Sequence, residues 1–135
     1  MKMPWTAEWN DSIETIADAA QLDSLLNRLE TEAAQDPVMV VITSPSGRSL
    51  AVGLGRKRSV LSYQGGPNPP YFASVGDSEG SGILIFRFGG QPTEFDLRRA
   101  VPIDAAKSAT RYFYEREQLP NNIRWRDLKA TDSRK

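Results

Sequence analysis

A chain of 135 residues suits one domain with a single buried core. Cysteine and histidine are both absent, which excludes disulfides, thiolate metal sites, thiol nucleophiles and imidazole general bases. Lys plus Arg is 17 and Asp plus Glu is 17, so the basic excess that generic nucleic-acid binding needs is missing.

The opening segment to Ile16 admits two readings. Trp5 and Trp9 are four apart and Ile13 and Ile16 three apart, as on a helix, yet a short edge strand followed by a turn fits equally well. Asp18 with Gln21 then makes a capping box, and Leu22, Leu25, Leu26, Leu29 and Ala33 recur at helical spacing, predicting a helix that ends before Pro37. From Val38 the period changes. Val38 to Ile42, Leu50 to Leu54, Ser59 to Tyr63 and Tyr71 to Val75 read as strands, separated by the turns Ser44-Pro45-Ser46-Gly47 and Gly55-Arg56-Lys57-Arg58 and by a Gly/Pro loop over residues 65–70. An acidic Gly/Ser loop over residues 76–82 leads into a strongly apolar strand, Ile83 to Phe88, with a tight turn and a return strand at Thr93 to Phe95. Pro102 fits the first turn of a second helix with Asp104 beside it, and Ala106, Ala109, Thr110 and Phe113 share one face. Ile123-Arg124-Trp125 is either a last short strand or a pin that holds the C-terminus to the core. The expected fold is α+β: a mostly antiparallel sheet, a meander, with two main helices packed on it, in one domain over residues 1–135 with 131–135 frayed.

The zero net charge hides a gradient, since residues 1–36 hold 8 acids and 2 bases and residues 37–135 hold 9 acids and 15 bases. No apolar run approaches the ~20 residues of a membrane span. Met1-Lys2-Met3-Pro4-Trp5 has neither the apolar stretch nor the small-residue cleavage site of a secretory leader, so a cytoplasmic location is expected.

No constellation makes an enzyme. Gly53-Leu54-Gly55-Arg56-Lys57-Arg58 lacks the third glycine of a dinucleotide loop and precedes a strand rather than a helix, so it reads as a charged hairpin whose Arg56, Lys57 and Arg58 can meet an acidic partner. Asp77, Glu79, Glu94 and Asp96 are the clustered carboxylates, but a Gly/Ser loop holds Asp77 and Glu79 too loosely for acid–base chemistry. A mobile acidic loop suits a basic groove on another protein better. No serine sits in a Gly-x-Ser-x-Gly elbow, and most aromatics read as core or rim. No metal site, cofactor or catalytic residue is assigned. A carboxylate-dependent hydrolase using Asp77 or Glu94, and a weak nucleic-acid binder using Arg56 to Arg58, remain as alternatives.

The order of the pieces carries a resemblance. The helix segment Leu22-Asp23-Ser24-Leu25-Leu26-Asn27-Arg28-Leu29 comes first, followed by Leu54 to Tyr63 and Tyr71-Phe72-Ala73-Ser74-Val75-Gly76-Asp77. Phe86-Arg87-Phe88-Gly89-Gly90-Gln91-Pro92-Thr93-Glu94-Phe95, Val101-Pro102-Ile103-Asp104-Ala105-Ala106 and Leu119-Pro120-Asn121-Asn122-Ile123-Arg124-Trp125 complete the series. Over about residues 5–128 it resembles the first numbered immunity-protein family of bacterial polymorphic toxin systems, departing from that pattern at Arg126, where an acidic residue is expected. The resemblance implies a small cytoplasmic α+β protein that binds a cognate toxin domain, often a nucleic-acid deaminase, forms a heterodimer with it and inhibits it, without touching nucleic acid or membrane. The toxin-binding surface is then expected from Asp77, Ser78 and Glu79, from Tyr71 and Asn68 at the proline-stiffened loop, and from Arg56, Lys57 and Arg58.

Overall fold

The computed structural model describes residues 4–66, 70–77 and 80–128. Of the two readings of the opening segment, the strand prevails: Trp5–Trp9 (β1) and Ser12–Ile16 (β2) form an antiparallel hairpin. It turns at Asn10, whose φ of 51° lies in the left-handed region that asparagine tolerates. The first helix, α1, runs Ala19–Glu32. Its N-cap Asp18 accepts from the Gln21 amide at 2.8 Å, and the Gln21 side chain accepts from the Ala17 amide at 2.6 Å, so the box closes one residue before the cap. Leu22, Leu25, Leu26 and Leu29 are buried as the spacing predicts, and the short 3-10 turn Ala33–Gln35 ends the run.

Val38–Thr43 (β3), Ser49–Leu54 (β4), Leu61–Gln64 (β6) and Tyr71–Val75 (β7) pair in sequence as an antiparallel meander, and Arg124–Asp127 (β11) adds to the outer edge of β7. The expected single strand from Ser59 to Tyr63 is broken. Arg58–Ser59 (β5) pairs instead with Val101–Pro102 (β10), and at the break the Gly53 amide of β4 donates to the Val60 carbonyl at 3.1 Å and the Ser59 hydroxyl at 3.0 Å. Pro102 is correspondingly the N-cap of α2 (Ile103–Arg116) rather than part of its first turn: its backbone is extended against Arg58, and the Ile103 amide donates to Lys57 O at 3.0 Å. Asp104 does sit in that first turn.

Strand alternation sorts the core into two layers. Val38, Val40 and Ile42 of β3 and Leu50, Val52 and Leu54 of β4 face α1 and α2, where Ala106, Ala109 and Phe113 meet the α1 leucines. Met39 and Ala51 face the other way, against Phe86 and Phe95. These two belong to the hairpin Ile83–Phe88 (β8) and Gln91–Asp96 (β9), which is attached through one parallel bridge between Val38 and Arg87. Ser62 of β6, Ala73 of β7 and Arg126 of β11 lie side by side in register on this outer face, Ala73 buried and Arg126 exposed.

Candidate functional site

The acidic loop begins where β7 runs out. Gly76 is locked there: its amide donates to Arg98 O at 2.8 Å, and a Cβ on it would stand 1.7 Å from Ala100 O, so no other residue fits without moving the backbone. Asp77 follows with its side chain 97% exposed, and Arg124 Nη2 donates to it at 2.8 Å and to Gly76 O at 3.1 Å. The carboxylate predicted to be loosely held is thus oriented by an arginine from β11. Ser78 and Glu79 lie outside the described residues, as does Asn68.

The three bases of the charged turn diverge. Arg56 Nε and Nη2 both donate to Ile85 O at 3.2 Å and the guanidinium rests 5.7 Å from the Phe86 ring centre, while Arg58 belongs to β5 opposite Pro102. All three side chains are exposed. Pro102 also lines a small cavity of about 190 Å³ with Gly76 and Asp77, which brings the acidic loop and Arg58 to the same end of the sheet. Tyr71 lies at the other end of β7, half-buried and opposite Gln64. At ~3.3 Å per residue it starts about 13 Å from Val75, so Tyr71 stands apart from the end of the sheet that holds Asp77 and Arg58.

The other two carboxylates of the sequence cluster, Asp96 and Glu94, lie in different settings. Asp96 caps the 3-10 turn Leu97–Arg99, and the Arg98 side chain, then the Arg98 amide, hold its carboxyl down to about 2. A permanently ionised group of this kind does not shuttle protons near neutral pH. Glu94 is exposed on the solvent side of β9 opposite Ile85. Among the described residues no three acidic side chains gather to hold a metal.

Two features escape sequence reasoning. The apolar run Ile83 to Phe88 buries only alternate residues, leaving Ile83 and Ile85 exposed on the outside of the hairpin. Arg99 is largely buried, with Nη2 donating to Leu61 O at 2.8 Å and to Ser62 Oγ at 2.9 Å and the guanidinium 5.2 Å from the Phe95 ring centre. Its Nε is buried without a partner. Burial first, and the charge of Arg126 second, pull it down to about 10, with Asp96 acting in the opposite sense.

The sequence pattern of the family described as Immunity protein Imm1 matches residues 10–127. The chain belongs to this immunity-protein family. No curated protein matches it. The match runs from the β1–β2 turn to the last residue of β11 and so takes in Asp77, Arg99 and the Arg56 to Arg58 turn. Membership makes the chain an immunity protein directed against a toxin. No described helix of this Imm1 protein is long and apolar enough to cross a membrane.

Proposed function

We propose that this immunity protein binds the catalytic domain of one cognate toxin as a heterodimer in the cytoplasm and inhibits it, without catalysis of its own, by occluding the active site. The observation that carries the reading is the family match over residues 10–127. The toxin is proposed to be a nucleic-acid deaminase, whose substrate groove must be basic to hold phosphates. A carboxylate presented on a fixed backbone can occupy such a groove in place of a phosphate. Asp77 supports this: it is fully presented to solvent, Gly76 anchors the chain before it, and its partner Arg124 can be exchanged for a cation of the toxin. In this reading Ser78 and Glu79 extend the acidic contact, Arg56, Lys57 and Arg58 flank it, and Tyr71 with Asn68 forms a second contact further along the sheet.

The test is a deamination assay on single-stranded DNA and RNA with the toxin encoded beside this protein. Conversion is expected to fall in proportion to added immunity protein and to stop near one equivalent. Undiminished conversion at several equivalents would contradict inhibition, whereas a toxin of another chemistry that is nevertheless neutralised would correct only the deaminase assignment.

A further inference from the structure

We propose that the outer face of β6, β7 and β11, at the exposed Arg126 and the partly buried Arg99 beside it, is a docking place for a carboxylate-bearing segment of the toxin domain. The proposal rests on the toxin-binding reading above and adds a contact of opposite sign to Asp77. Register defines the place: Ser62, Ala73 and Arg126 lie opposite one another on adjacent strands, and Arg99 reaches into this row through its bond to Ser62. Two strand spacings, about 10 Å, separate the backbones of Ser62 and Arg126, a gap that an arginine side chain can largely span. Ala73 between them offers only a methyl group and is itself buried, so the charge of this row comes from the two arginines.

Neither guanidinium forms an ion pair among the described residues. Arg126 is exposed and has no hydrogen-bond or ion-pair partner among the described residues. Arg99 is satisfied by oxygens on one edge only, and its buried Nε is orphaned. The carboxylate that acts on both, Asp96, already takes the side chain and amide of Arg98. Asp77, which follows β7, is held by Arg124 of β11. Asp127 follows Arg126 but stands opposite Phe72, on the helix side of the sheet with Trp125. A carboxylate that accepts charge-assisted bonds from the exposed Arg126 also relieves its repulsion with Arg99. A protein carboxylate fits better than a nucleic-acid strand, because Asp77 and Asp96 flank the cations and would repel successive phosphates.

Calorimetry with the cognate toxin domain tests the docking place, using the full chain. Arg126→Glu is expected to weaken binding by about 100-fold and Arg126→Gln, which keeps the aliphatic stem, by about 10-fold, with melting temperatures close to wild type. Wild-type binding that Arg126→Glu leaves unaltered would overturn the docking place and leave the toxin reading standing. No complex with wild-type protein would overturn both. Sub-micromolar binding of a single-stranded oligonucleotide, lost in Arg126→Glu, would also overturn it by assigning the cations to phosphate.

Discussion

Asp77 and Asp96 are both carboxylates paired with arginine, and their differing geometry separates recognition from folding. The Asp77–Arg124 pair is exposed on both sides, at 97% and 67% of the side chains, and such pairs contribute ~0–1 kcal/mol. Asp77→Ala combined with Glu79→Ala is therefore expected to leave urea unfolding of the free protein nearly unchanged and to weaken toxin binding by ~2–5 kcal/mol, read by calorimetry. Asp96 instead closes the turn that presents Arg99. Its folded value of about 2 lies below the ordinary 3.8, so its contribution is complete above the ordinary value and disappears as pH falls toward the folded one. The urea midpoints of wild type and Asp96→Asn should accordingly differ by a constant amount above about pH 5 and converge near pH 2. Asp77 was legible in the sequence as a polar loop residue, but its arginine was not, because Arg124 lies 47 positions away. Leu97-Arg98-Arg99 looks like a solvated basic turn, and only the tertiary fold buries its last member against Phe95.

At the scale of elements, the helices and the meander follow from periodicity alone: the Leu22 to Leu29 stripe and the Ala106 to Phe113 face are buried as spaced. What periodicity does not encode is where a strand must leave its sheet. Ser59 and Val60 read as continuous with Leu61, yet pairing with Val101 diverts the chain and turns Val60 into the outer core. The opening tryptophans leave helix and strand both open for a related reason, since Trp5 meets Phe113 edge-on and Tyr114 at a tilt from a strand, 5.3 and 4.8 Å between ring centres. Two glycines mark where elements touch. A Cβ at Gly53 would meet the Phe86 ring at 2.7 Å, and one at Gly76 the Ala100 carbonyl at 1.7 Å. A ring at the end of a side chain can shift, whereas a backbone carbonyl moves a strand with it. Gly53→Ala should cost about 1–3 kcal/mol and Gly76→Ala more than that, by thermal or urea unfolding. Equal costs would show that the Gly76 to Ala100 approach is not a fixed contact.

Over the whole molecule, the acidic first quarter of the chain is partly neutralised by the basic remainder. Asp23 pairs with Arg111, Glu30 with Lys107 and Asp36 with Arg87, which tie α1 to α2 and the end of the α1 segment to β8. The basic excess left over is not uniform, and the outer face of β6, β7 and β11 carries part of it unpaired. The order of segments along the chain was enough to suggest the family, and the family match over residues 10–127 supports the same conclusion. The acidic loop and the Arg56 to Arg58 turn pointed to a charged partner, whereas the cations proposed here for recognition come together only in the fold, from β11 and the turn after β9. The central claim is that this surface captures a toxin, and neutralising a toxin inside its own cell requires the free fraction to be very small. Titration of the purified protein with its cognate toxin domain tests this most directly. A one-to-one complex with a Kd at or below nanomolar, about −12 kcal/mol or lower, is predicted; a Kd weaker than micromolar, or no heat of binding, would contradict it.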